Sequence, residues 1–137
     1  MRKRGNKMKI AYICSPYRVA GKQEKETIKI IHKRNVEYAQ SLTRKAIQFG
    51  YAPITPHLYI TQAVDDDIEQ ERQQGLNAGL AILKGCDLLL VGDRYGISSG
   101  MRGEIEKAEE MGLQIITERE LDTAIMLIKE REGSSNG

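Results

Sequence analysis

The sequence predicts an α/β fold: a three-layer α/β/α sandwich around a small parallel sheet. Short apolar runs alternate with longer amphipathic ones four times along the chain, the pattern of strands crossing over through helices. The run "CDLLLVG" at residues 86–92 places four bulky aliphatics in succession, Leu88 to Val91, as a strand buried on both faces requires. Turn and stop residues stand between the runs, among them the Ser15-Pro16-Tyr17 turn and Gly50.

The elements follow in order. "KIAYIC" at residues 9–14 reads as a buried strand, followed by a polar loop to Gly21. Over residues 27–49, Ile28, Ile31, Val36, Ala39, Leu42, Ala46 and Phe49 form a helical apolar stripe, and Gly50 ends it. "YAPITP" at 51–56 makes a second strand, and "HLYITQAVDDD" reads as a loop. A helix is expected at 68–84, where Gly75 and Gly79 weaken it and point to a close approach. The strand at 86–92 leads through a Gly/Ser loop into a helix ending near Met111, then come a strand at 113–117 and a helix at 119–131.

With 137 residues, the chain is expected to form one domain over 9–132, between a basic flexible N-terminus at 1–8 and a flexible tail, "GSSNG", at 133–137. Net charge is only +2, and the basic excess sits in Arg2, Lys3, Arg4, Lys7 and Lys9, read as a solvated end rather than a nucleic-acid arm. Cys14 and Cys86 lie within apolar runs and behave as small buried hydrophobes, so neither a disulfide framework nor a metal site is expected. That usage suits a reducing compartment, and no apolar run is long enough for a membrane span or a signal segment. A cytoplasmic protein without membrane association is expected.

In parallel α/β sheets ligands collect outside the carboxyl ends of the strands, so the loops at 15–21, 56–67 and 93–101 should converge. Ser98, Ser99, Gly100 and Met101 open a helix, where free N–H groups can cradle an anion; the competing reading is an ordinary N-cap. Glu104 is either a first-turn helix charge or a nucleophile aimed over the strand ends. Tyr12 is core or a hydroxyl that orients a carboxylate, and Ser15, Tyr17 and Arg18 belong to the adjoining loop, with Arg18 suited to phosphate. His57 contacts base or sugar, or is a satisfied structural histidine. Asp65, Asp66 and Asp67 serve general-acid work, bind a divalent cation, or cap the following helix. Asp87 starts its strand at the far end and reads as structural.

Taken together, "KIAYICSPYR", "YAPITPHL", "GCDLLLVG" and "SSGMRGEIEKA" resemble the nucleoside 2-deoxyribosyltransferase-like family, including its phage and Gram-positive branch with Pro-His-Leu and Ser-x-Gly-Met-x-x-Glu motifs. The resemblance spans roughly residues 9–117 and implies a Rossmann-like domain that cleaves or exchanges the N-glycosidic bond of a deoxynucleoside or its 5'-monophosphate. It implies Glu104 as the nucleophile at C1', Tyr12 as its positioning hydroxyl, and Ser98 and Arg18 as phosphate contacts, favouring a 5'-nucleotide. It implies no cofactor, and a homo-oligomer in which a neighbour completes the pocket; the helix at 68–84, with Gly75, Ala78 and Gly79, is the candidate interface. One departure stands out: the family places a general-acid Asp on that helix, where this chain has Gly79 with Asn77 nearby. Two alternatives follow, a non-catalytic binder of a nucleotide or nucleotide-derived signal, and a phage-type inhibitor that acts by contacting a protein partner.

Overall fold

The computed structural model describes residues 7–19 and 21–135. Arg2, Lys3 and Arg4 of the basic N-terminus and the last two residues of the tail lie outside the described residues. Four strands, β1 (Ile10–Cys14), β2 (Ala52–Ile54), β3 (Leu88–Val91) and β4 (Gln114–Thr117), pair in parallel in the order β2-β1-β3-β4. Among the described residues five α-helices accompany them: α1 (Lys25–Phe49), α2 (Ile60–Ala63), α3 (Glu69–Lys84), α4 (Ser99–Glu110) and α5 (Glu118–Ser135).

The period of two along each strand sorts side chains into two cores. Ala11, Ile13, Leu88 and Leu90 face Tyr38, Leu42 and Ala46 of α1 and Leu121 of α5. Tyr12, Cys14, Leu89 and Val91 face the other way, onto Leu83 of α3 and Met101 and Ala108 of α4. Each fully buried Leu contributes about 2 kcal/mol of transfer free energy, so the unbroken Leu88–Val91 run drives both layers onto the sheet. The sandwich read from the alternating runs is the fold observed.

Local chemistry sets the ends. Gly50 adopts φ 102° and its N–H returns to the carbonyls of Ala46 and Ile47, a left-handed stop for α1. At the base of the sheet the Asp87 carboxylate accepts the Ile10 N–H at 2.8 Å, and the Asp87 N–H donates to Ile10 O, so this residue registers β3 on β1. Two spans depart from the sequence reading. The stretch after β2 is structured: Pro56–Leu58 forms a 3-10 turn, which Pro56 starts at no cost in hydrogen bonds, and α2 follows. At the other end α5 runs on through Ser135, past Gly133, where a flexible tail was expected.

Since β1 and β3 are neighbours while β2 and β4 lie outside them, the chain leaves the ends of β1 and β3 in opposite directions. A crevice opens at this switch point, at the carboxyl ends of the central strands.

Candidate functional site

A cleft of about 820 Å³ occupies that crevice on the α3/α4 side of the sheet. Its inner wall is Tyr12, Ser15, Tyr17 and Arg18 from β1 and the loop after it; its upper edge is Ser98, Ser99, Gly100, Met101 and Glu104 from the start of α4. Pro56, His57 and Ile60 close one side, and residues of α3 from Arg72 to Leu80 form the outer wall. Two of the three loops expected to converge do so, and the third divides. Ser98 onward enters the cleft, whereas Arg94 and Tyr95 turn to the α1 side, where Arg34 stacks 3.8 Å from the Tyr95 ring centroid and Arg94 binds Glu118 at 2.8 Å.

Glu104 lies one turn into α4 and meets the two β1 side chains that the pleat aims at this helix. The Tyr12 hydroxyl and the Cys14 thiol both hydrogen-bond its carboxylate. Burial raises the pKa of Glu104, and those two hydrogen bonds pull it only part of the way back. Tyr12 is itself held far above its ordinary pKa, by burial and by the charge of Glu104, so it stays a donor. Cys14 is fully buried, also donates toward Met101 O at 3.8 Å, and has its thiol pKa raised by burial and by Glu104. The result is a half-buried carboxylate at the cleft wall whose partners are neutral.

The Ser98 hydroxyl accepts the Met101 N–H at 3.3 Å, and the Ser98 N–H points to the Met101 sulfur at 3.5 Å, so Ser98 caps α4. The capping reading therefore holds for its side chain, while Ser99 and Gly100, at the first two helical positions, bring N–H groups without intrahelical acceptors to the cleft. Ser15 Oγ and His57 Nε2 are 3.1 Å apart, tying the two inner loops together. Burial lowers the His57 pKa to about 4, so its imidazole is neutral near pH 7. Tyr17 packs edge-on to His57 and His32, and buried Asn35 of α1 donates to the Tyr17 carbonyl at 3.2 Å, fixing the loop that carries Arg18.

On the outer wall the two glycines of α3 face their own chain. A Cβ at Gly75 would meet Ile60 and Val64 at 3.3 Å, and one at Gly79 would meet the Tyr12 hydroxyl at 3.2 Å. The close approach inferred from these glycines is made within the chain, by Ile60 and Val64 at Gly75 and by Tyr12 at Gly79. Asp65 stands outside the cleft: it is exposed, and its carboxylate accepts the Asp67 N–H at 3.0 Å to close a turn. Asp66 faces the cleft in its place, since adjacent residues of a turn point different ways. Asn77 is exposed and accepts from Gln73 at 3.1 Å, away from Glu104. Arg72 and Gln73 also line the cleft, and sequence reasoning missed them, although their spacing from Leu76, Gly79 and Leu80 puts them on one helical face.

Among the described residues no group of three or more His, Cys, Asp and Glu side chains is gathered as a metal ion would need, and no helix is long and apolar enough to cross a membrane.

A family model described as a domain of unknown function (DUF7768) matches residues 9–118, and the chain belongs to that family. Among solved structures, the 2-deoxyribosyltransferase of the psychrotolerant bacterium Bacillus psychrosaccharolyticus is similar, with a TM-score of 0.57 at 15% identity over 79% of this chain and 70% of that one. That likeness is one of fold. No curated protein matches the sequence.

Proposed function

We propose that this member of the DUF7768 family binds a nucleoside 5'-monophosphate in the cleft and breaks its N-glycosidic bond through Glu104. The observation that carries the reading is the setting of Glu104: a half-buried carboxylate at the strand ends, beside a hydroxyl and a thiol and, among the described residues, in no ion pair. A carboxylate so placed keeps its lone pairs for an electrophilic carbon. The fold shared with a 2-deoxyribosyltransferase makes an anomeric carbon the natural electrophile.

In the proposed reaction a Glu104 oxygen attacks C1', the C1'–N bond breaks, and the base departs with the bonding pair and takes up a proton. A glycosyl ester to Glu104 remains, which water or a second base then releases. Tyr12 holds the attacking carboxylate in place. Arg18 and the N–H groups of Ser99 and Gly100 receive the 5'-phosphate at the start of α4, where the helix dipole favours an anion. Gly79 leaves the leaving base without the carboxylic acid the deoxyribosyltransferase-like family carries on α3, and His57 is neutral near pH 7, so the proton comes from Asp66 or water and turnover is slow.

The same Gly79 favours a second reading, in which the cleft holds a nucleotide without cleaving it. Incubation with deoxynucleoside 5'-monophosphates, followed by chromatography for free base, decides between them. Base released by the parent and not by Glu104→Gln supports the glycosidic reaction. A stabilising thermal shift with intact nucleotide supports the binder, and silence in both assays overturns both.

A further inference from the structure

Arg72, Gln73, Leu76, Gly79 and Leu80 all line the cleft from a single face of α3. Gly79 lies against the Tyr12 hydroxyl, hence beside Glu104, and Arg72 is seven residues away, about 10 Å along the helix axis. Apolar groups flank the middle of this run: Leu76 and Leu80 from α3, with Ile60 and Val64 from the α2 segment drawn in by Gly75. The shelf is apolar at its centre and polar at its far end, where Asp66, Arg72 and Gln73 meet the cleft.

We propose that this face of α3, with Asp66, is a base-reading wall that selects a guanine nucleotide; the proposal rests on the nucleotide reading above. A base joined at C1' over Glu104 extends along α3 toward Arg72. The far edge of a two-ring base reaches the polar end of the shelf, where a one-ring base stops short. Guanine presents two acceptors, O6 and N7, which an Arg guanidinium binds as a pair, together with N–H donors that a carboxylate accepts. Adenine offers an amino donor where guanine has O6, so it cannot satisfy Arg72 in the same way. The ion pair of Arg72 with Glu69 is long, at 3.7 Å, and solvent-facing, so it holds the guanidinium only weakly.

The test is calorimetric binding of dGMP, dAMP, dCMP, dTMP and deoxyribose 5-phosphate to the full chain carrying Glu104→Gln, so that no ligand is consumed. dGMP is expected to bind about tenfold or more tighter than the other three nucleotides. Arg72→Ala and Asp66→Asn, each added singly, should reduce that preference by about tenfold while leaving deoxyribose 5-phosphate binding unchanged. Equal binding of the four nucleotides, or a guanine preference that neither substitution moves, overturns the base-reading wall but leaves the nucleotide reading standing. Failure of every nucleotide and of the sugar phosphate to bind overturns the nucleotide reading itself.

Discussion

Two carboxylates, Glu104 and Glu118, each lie on a helix that follows a parallel strand, on opposite faces of one sheet. Glu118 accepts from Tyr38 at 2.8 Å, from Lys45 at 2.7 Å and from Arg94 at 2.8 Å. Burial alone would raise its pKa, but the hydrogen bonds from Lys45 and Tyr38 and the charges of Lys45 and Arg94 bring it below the ordinary value. Among the described residues Glu104 meets a hydroxyl and a thiol, both neutral, and burial raises its pKa. A carboxylate that pins α5 to α1 is surrounded by cations, whereas one with neutral partners bears the cost of desolvation. The pair thus contrasts a structural use of the side chain with the setting that the proposed reaction requires.

The comparison breaks most visibly in activity. Glu104→Gln should lower base release by about 10³-fold or more, as loss of a nucleophile does. Glu118→Gln, remote from the cleft, should leave the rate of any remaining folded protein within a few-fold; steady-state kinetics on both variants checks this.

Stability should show the reverse order. Glu118→Ala takes the acceptor from the buried Tyr38 hydroxyl and leaves Lys45 with Asp122 and Arg94 without its carboxylate, and should cost about 2–3 kcal/mol in urea unfolding. Because the folded pKa of Glu118 is depressed, its contribution is present above the unfolded value of about 4.3 and is lost as pH falls through the folded value. The gap between parent and Glu118→Gln should therefore close on acidification.

Gly92→Ala is expected to cost about 1–3 kcal/mol, since a Cβ there overlaps the Leu42 side chain and sits 2.7 Å from the buried Tyr38 hydroxyl. A thermal melt showing no loss would remove the claim that the end of β3 is clamped to α1.

The smallest effect is the most diagnostic. Glu104 has a raised folded pKa, so its contribution is fully present below about 4.3 and is lost as pH rises through the folded value. Glu104→Gln should equal or exceed the parent in stability at pH 7, by up to about 1 kcal/mol, and lose that advantage near pH 4. A Glu104→Gln variant that is destabilised like Glu118→Gln would place both carboxylates in the structural class.

Much of this was legible in residue patterns. The Leu88–Val91 run could only be a central strand, and Gly50 marked its helix end, because burial on two faces and a left-handed stop leave direct traces in sequence. The site was legible as loops at strand ends, and Glu104, Tyr12, Ser15, Tyr17, Arg18, His57 and the Ser98–Met101 turn do meet in one cleft. What sequence could not show was orientation within turns and across long separations. Asp66 rather than Asp65 enters the cleft because one residue of rotation in a turn reverses a side chain's direction. The Glu118 network joins residues 73 and 80 positions apart, so nothing local announced it. Gly75 and Gly79 signalled close approach without saying to what, and the answer, α2 and Tyr12, depends on the finished packing.

The central claim is that Glu104 forms a bond to the sugar. Rapid quenching of the parent during turnover of dGMP, followed by peptide mass spectrometry, tests it most directly. The account predicts an added deoxyribose 5-phosphate mass on the peptide carrying Glu104, absent from Glu104→Gln. Base release with no adduct on that peptide, and with Glu104→Gln still active, would contradict it.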